Sequence, residues 1–174
     1  MGGMIAQSLA IRHPDRVRTL TSVMSTTGDP TVGQPHAEAI EVLLAPAASD
    51  RAAAVAGAVA TWRVIGSPGF PFRKDLLEAS AGAAYDRAFH PEGTGRQLAA
   101  ILGSPDRTSS LSHLRVPTFV IHGDSDLLVD PSGGTATSAA VRGSTLWSIA
   151  GMGHDLPPEI FDELVERVAA HCGL

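Results

Sequence analysis

Cysteine and basic charge are both scarce in this 174-residue sequence. The single cysteine, Cys172, cannot form an internal disulfide, and so low a count is typical of a reducing compartment. The 13 basic residues are outnumbered by 18 acidic ones, which gives a formal net charge of −5. A nucleic acid or an anionic membrane surface selects a basic excess, so neither is an expected partner.

Long apolar runs are also missing. No stretch approaches the roughly 20 apolar residues that are needed to cross a bilayer. The first residues, MGGMIAQ, lack the basic region and the apolar region of a secretion signal. We therefore expect one soluble, cytoplasmic domain, because a hydrophobic content of 44% is enough for a sizeable core.

Patterns that bind metals or phosphates are absent as well. No group of Cys and His residues has the spacing of metal ligands. No glycine-rich loop follows a predicted strand in the way a phosphate-binding loop would. We expect no metal and no other cofactor.

The first half of the chain begins with a helix and a strand. Helix formers occupy residues 4–12 and are apolar on most faces, which is typical of a helix buried against a sheet. Residues 17–24 are rich in Val, Thr and Leu and predict a strand. Helical segments, with no strand pattern between them, then follow from residue 29 to residue 112: 37–44, 51–65 and 74–87.

The second half of the chain alternates strands and helices. The continuous apolar run 116–121 predicts a strand that is buried on both faces of a parallel sheet. Asp130 provides an N-cap for a helix over 131–141, and a strand over 145–150 follows. The helix predicted over 158–170 should close one edge of the sheet with an apolar face made of Ile160, Phe161, Leu164, Val165 and Val168. This order is typical of an α/β protein with a parallel sheet.

An acid and an imidazole follow two of the predicted strands. Functional groups of a parallel sheet cluster at the carboxyl ends of its strands, here residues 25–28, 122–126 and 151–155. Either Asp124 or Asp126 could orient the ring of His154, which would leave its other nitrogen to act as a base. In the simpler interpretation His154 is a polar turn residue bound to backbone, and His122 orients the turn after its strand.

Three segments occur in an order that a known family shares. They are MGGMIAQ at 1–7 with HPDRV at 13–17, VPTFVIHGDSD at 116–126, and GMGH at 151–154 followed by Asp-Leu-Pro. Together they resemble the α/β-hydrolase superfamily, and within it bacterial esterases similar to aclacinomycin methylesterase. The resemblance implies the C-terminal part of the α/β-hydrolase fold, a parallel sheet flanked by helices, with a core of 1–28 and 113–174 and an inserted helical cap of 29–112.

The resemblance also implies catalytic roles. Asp126 matches the acid of the catalytic triad, His154 matches the base, and the backbone nitrogen of Met1 matches a donor of the oxyanion hole. The nucleophilic serine of the family would immediately precede Met1, and no G-x-S-x-G occurs within the sequence. Ser22 and Ser25 do not lie in such an elbow. We therefore expect the parent protein to hydrolyse small-molecule carboxylic esters through an acyl-enzyme, and this chain alone to be inactive.

Other interpretations stay open at this stage. In one alternative, the chain is a catalytically silent fragment or an interaction module. In another, the parent protein is an enzyme of a different kind: a lactonase, C–C hydrolase, cofactor-free peroxidase or epoxide hydrolase. The strand over 17–24 should have an open edge, so we expect a complementary chain or an oligomer to cover it. Without such a partner the chain should aggregate or stay partly unfolded.

Overall fold

Three parallel strands form a single sheet in the computed structural model, which describes residues 1–173. They are β1 (Leu20–Val23), β2 (Thr118–Gly123) and β3 (Thr145–Ile149), in the order β1-β2-β3. All six residues of β2 are buried, as the apolar run predicts for a central strand. The predicted α/β class with a parallel sheet is confirmed.

Eight α-helices surround or extend from this sheet within the described residues. They are α1 (Gly2–Arg12), α2 (Ala37–Leu43), α3 (Arg51–Ile65), α4 (Lys74–Arg87), α5 (Pro91–Leu102), α6 (Thr108–Ser112), α7 (Ser132–Ala140) and α8 (Phe161–Cys172). Short 3₁₀ helices occupy Pro14–Arg16 and Pro158–Ile160. The bounds of α2, α3 and α4 agree with the predicted segments to within one residue. No described helix is long and apolar enough to cross a membrane.

One face of the sheet is covered by α1, α6 and α7. A buried cluster joins these helices to the strands: Ala10, Leu20, Leu111, Leu114, Val116 and Val141. Asp130 accepts a hydrogen bond from the backbone N–H of Ser132 at 2.9 Å, but the N-cap of α7 is Pro131, so the predicted N-cap lies one residue too early. Helices α1 and α6 and the end of α7 therefore pack against this face through one apolar cluster.

The opposite face is covered by α8. Leu164 and Val168 pack against a second buried cluster: Phe119, Ile121, Ile149, Met152 and Ile160. At its far end α8 reaches β1, where His171 Nε2 donates to the carbonyl of Leu20 at 3.2 Å. The prediction that this helix closes an edge is wrong, because it crosses a face from β3 to β1. Phe161 and Val165 are exposed, so its apolar face is narrower than predicted.

Helix α1 is less buried than the sequence predicts. Met4, Gln7 and Ala10 lie on its buried side, and α1 packs against β1. Ile5 and Leu9 lie on the other side and are 59% and 50% exposed. Among the described strands, β1 and β3 are the edges of the sheet, so an apolar helix face and a strand edge are exposed together at the β1 side.

Candidate active site

The structure brings Asp126 and His154 together at the carboxyl ends of two neighbouring strands. Asp126 follows β2 and His154 follows β3, and the two strands are parallel and hydrogen-bonded. Asp126 Oδ2 lies 2.8 Å from His154 Nδ1. The Asp126 side chain is fully buried, whereas that of His154 is 21% exposed. A buried carboxylate therefore orients an imidazole that remains open to solvent on one side.

Asp126 is held as a carboxylate by several donors. Its Oδ1 accepts the backbone N–H groups of Leu128 and Val129, each at 2.9 Å. Burial by itself raises the pKa of Asp126, but hydrogen bonds from His122 and His154, the charge on His154 and the Val129 N–H together lower that pKa to about 2. Asp126 is therefore charged at neutral pH and can stabilise an imidazolium at His154.

His122 anchors the loop that carries Asp126. Its Nε2 lies 2.8 Å from the carbonyl oxygen of Val129 and 3.5 Å from Asp126 Oδ2. Because a carbonyl only accepts, Nε2 of His122 carries a proton and donates this hydrogen bond. A Cβ at Gly134 would collide with this ring, so the glycine allows α7 to approach it. This arrangement supports the predicted orienting role of His122.

Asp124, the competing candidate for the acid, binds backbone instead of the ring. Its Oδ1 accepts the N–H of Gly151 at 2.7 Å and the hydroxyl of Ser125 at 2.9 Å. Gly151 begins the histidine turn, which we define as residues 151–155, and has a φ of +69° that favours glycine. Asp124 therefore fixes the start of this turn.

The end of α3 and the loop between α3 and α4 also hold the histidine turn, a contact that the sequence did not predict. The backbone N–H of His154 donates to the carbonyl of Ile65 at 2.7 Å. The N–H of Gly69 donates to the carbonyl of Gly151 at 2.9 Å. The loop and the turn are separated by more than 80 residues in sequence, and the Gly and Pro cluster at 66–71 predicts only a break between helices.

Ser67 contributes the side chain of this contact. Its hydroxyl donates to the carboxylate of Asp155 and accepts the N–H of Gly153 at 2.9 Å. A Cβ at Gly153 would collide with the backbone of Gly66, so the close approach requires glycine there. No local pattern could have identified Ser67, because both of its partners are distant in sequence.

Met1 is not joined to the Asp126–His154 pair by any hydrogen bond among residues 1–173. It caps α1, and its carbonyl accepts the N–H of Ile5 at 3.1 Å. Burial and the nearby Arg107 guanidinium lower the pKa of its amine. The predicted oxyanion role of Met1 therefore stays a prediction.

No serine hydroxyl among residues 1–173 forms a hydrogen bond with His154. Ser22 Oγ accepts a hydrogen bond from Gln7 Nε2 at 3.2 Å. Ser25 Oγ is buried without a partner and packs against Gly3, where a Cβ would lie 2.8 Å from it. Neither Ser22 nor Ser25 therefore forms the hydrogen bond to a base that a serine nucleophile needs.

A cavity of about 970 Å³ adjoins the histidine turn. Trp62, Phe70 and Phe72 line it, together with Ser67 and Asp155. Tyr85 is outside this lining and packs against Phe89, with ring centroids 4.6 Å apart. Within the described part of the chain, no group of three His, Cys, Asp or Glu residues could hold a metal ion.

Known proteins with similar sequences or structures are hydrolases. The chain is 24% identical to rhodomycin D methylesterase DnrP of Streptomyces peucetius over an alignment 199 positions long, which covers 98% of this chain and 64% of that protein. Its fold matches an enol-lactonase from Burkholderia xenovorans LB400 (TM-score 0.74, 21% identity, 100% of this chain and 63% of that one). It also matches a 2-hydroxy-6-oxo-6-phenylhexa-2,4-dienoate hydrolase from Rhodococcus sp. strain RHA1 (TM-score 0.73, 17% identity, 100% and 62%).

The chain thus spans less than two thirds of the length of these proteins. The solved structures show that the fold is that of part of an α/β-hydrolase. The family model described as serine aminopeptidase, S33, matches residues 1–160. Because this match covers most of the chain, the chain belongs to the serine aminopeptidase S33 family of α/β-hydrolases.

Proposed function

We propose that this chain carries the acid and the base of a serine-type hydrolase of carboxylic esters. The observation that supports this most strongly is the distance of 2.8 Å between Asp126 Oδ2 and His154 Nδ1. With Nδ1 bound to a carboxylate, Nε2 of His154 is the ring nitrogen that accepts a proton from a nucleophile. The lowered pKa of Asp126 keeps this carboxylate ionised at neutral pH.

The proposed reaction has two halves. A serine hydroxyl attacks the ester carbonyl while His154 Nε2 takes its proton, and Asp126 stabilises the resulting imidazolium. His154 then gives that proton to the leaving alcohol, and an acyl-serine remains. In the second half His154 removes a proton from water, which attacks the acyl carbon. The bond between the acyl carbon and the serine oxygen then breaks, His154 returns the proton to that oxygen, and the carboxylic acid is released.

The nucleophile in this proposal is a serine that immediately precedes Met1 in a longer chain. The peptide N–H of Met1 would then lie at the N-terminus of α1 and donate to the oxyanion, where the helix dipole favours negative charge. The helices of residues 29–112 would act as a cap over the core of 1–28 and 113–174. The apolar, aromatic lining of the cavity beside the histidine turn suits a small-molecule ester.

The finer proposals follow from the sequence and the relatives. The name of the Streptomyces relative describes an ester hydrolase, which favours a bacterial carboxylesterase. The single cysteine favours a cytoplasmic location. The alternative proposal is a catalytically silent fragment or interaction module, which would retain the fold without a nucleophile.

Labelling with a fluorophosphonate distinguishes these two proposals, because this probe reacts with activated serines. The 174-residue chain and a longer chain that carries Gly-X-Ser directly before Met1 would be labelled in parallel. We expect label on the longer chain at that serine and none on the shorter chain. Label on the shorter chain would place the nucleophile elsewhere, and two unlabelled chains would favour the silent module.

A further inference from the structure

Four hydrogen bonds connect the histidine turn to the last residue of α3 and to the loop between α3 and α4. Two of them join backbone atoms: the N–H of His154 to the carbonyl of Ile65, and the N–H of Gly69 to the carbonyl of Gly151. The other two involve the Ser67 hydroxyl, which accepts from one residue of the turn and donates to another. Among the described residues, Ser67 provides the only side chain of this loop that binds the turn.

The two partners of Ser67 flank His154. The hydroxyl accepts the N–H of Gly153 at 2.9 Å and donates to the carboxylate of Asp155. The Ser67 hydroxyl oxygen therefore forms one hydrogen bond with the residue before His154 and one with the residue after it. Because a short turn has few internal contacts, this bridge restricts rotation of the backbone that carries the ring.

We propose that Ser67 is a positioning residue for His154: its hydroxyl bridges Gly153 and Asp155 so that the imidazole stays on Asp126. This role rests on the proposed function in one respect: His154 is the base of the proposed reaction. A hydroxyl is required because one group has to accept and donate at the same time. Alanine at position 67 would remove both bonds and leave only the two backbone hydrogen bonds between this segment and the turn.

The bridge acts at a distance from the reacting atoms. Asp126 fixes Nδ1 of the ring, and Ser67 fixes the backbone on either side of it. Loss of the bridge should let the ring leave Asp126 more often, without removing any group that touches a substrate. The measurement has to report on the Asp126–His154 hydrogen bond itself. A positioning role changes this bond selectively, whereas a general loss of stability does not.

Proton NMR of the histidine rings measures this bond directly. A His154 Nδ1–H bound to a carboxylate gives a resonance far downfield, and its rate of exchange with water reports how often the bond opens. The unsubstituted 174-residue chain would be compared with Ser67→Ala, with Ser67→Thr, which keeps a hydroxyl, and with Asp155→Ala, which removes one of the two bonds. Ser80→Ala is the matched control, because Ser80 lines the same cavity and is outside the bridge.

We expect exchange of this proton to be about tenfold faster in Ser67→Ala, the factor that corresponds to about 1.4 kcal/mol. Asp155→Ala should show a smaller increase, and both Ser67→Thr and Ser80→Ala should exchange at the unsubstituted rate. An unchanged rate in Ser67→Ala would overturn the positioning role while leaving the Asp126–His154 pair intact. If Ser67→Ala does not fold, Asp155→Ala decides, and an unchanged rate there overturns the role. Absence of the downfield resonance from the unsubstituted chain would contradict the pair, and with it the positioning role and the proposed function.

Discussion

Asp124 and Asp126 hold different parts of the same turn, although only one residue separates them. Asp124 Oδ1 accepts the backbone N–H of Gly151 at 2.7 Å, whereas Asp126 Oδ2 lies 2.8 Å from the ring nitrogen of His154. One carboxylate therefore fixes the backbone and the other fixes the imidazole. Substitutions at the two positions should have different consequences.

Asparagine at position 126 should reduce ester hydrolysis far more than asparagine at position 124. In a longer chain that carries the serine, Asp126→Asn should lower kcat by about 10⁴-fold, because an amide neither holds the required tautomer nor stabilises the imidazolium. Asp124→Asn keeps an oxygen that accepts the N–H of Gly151, so we expect less than about a tenfold loss. Steady-state kinetics with a chromogenic ester measures both values, and equal losses would contradict the assignment of Asp126 as the acid.

Acid should weaken the fold through Asp126. The pKa of this carboxyl is lowered from 3.8 to about 2 in the folded chain, so its contribution is present above about pH 4 and is lost as the pH falls towards 2. That contribution is about 2 kcal/mol at neutral pH. Urea unfolding at several pH values should show the difference in unfolding free energy between the unsubstituted chain and Asp126→Asn shrinking over this range. Asp162→Asn, at an exposed position of α8, is the control and should give a constant difference.

Gly123 should not tolerate alanine. A Cβ at this position, the last of β2, would collide with the carbonyl of Met152 in the histidine turn. We expect Gly123→Ala to lower the unfolding free energy by about 1–3 kcal/mol, because the turn would have to move. Gly57→Ala is the matched control: it lies exposed within α3 with no atom near its Cβ, and should raise stability by about 0.5–1 kcal/mol. Thermal melting of both variants checks the two signs, and equal shifts would contradict the close approach.

The apolar face of α1 should promote self-association. Ile5 and Leu9 are exposed one helical turn apart, on the helix that packs against edge strand β1. Replacing both by Gln should raise the monomer fraction of the 174-residue chain, which analytical ultracentrifugation measures. Val165→Gln is the control, because Val165 is equally exposed but lies on α8 at the opposite face. An unchanged monomer fraction in the double variant would indicate that this face is not where chains meet.

The strands and the main helices could be predicted because their signals are local. The apolar run that forms β2 is a pattern of consecutive residues, and so are the segments that form α3 and α4. Exposure could not be predicted in the same way: Ile5 and Leu9 are apolar, yet they face away from the sheet because helix geometry places them opposite Met4 and Gln7. Arg107 is the converse case, a charged residue that is buried because Gln7 and the Thr26 carbonyl accept its hydrogen bonds.

Some residues of the candidate site could be predicted from the sequence and others could not. Asp126 and His154 could be singled out because each follows a recognisable strand, and the carboxyl ends of parallel strands meet. Ser67 could not, since its partners lie 86 and 88 residues away and nothing around it in sequence differs from an ordinary break between helices. The family resemblance already favoured Asp126 over Asp124 as the acid, but the hydrogen bond from the Gly151 N–H to Asp124 needed coordinates, because these two residues are distant in sequence.

If His154 activates a serine, the rate of fluorophosphonate labelling measures that activation. The comparison is between the longer chain with Gly-X-Ser before Met1 and its His154→Gln variant, with His113→Gln as the control at an exposed histidine. We expect His154→Gln to slow labelling by at least about 10³-fold and His113→Gln to be labelled at the unsubstituted rate. Labelling of the His154→Gln chain at the unsubstituted rate would contradict activation by His154.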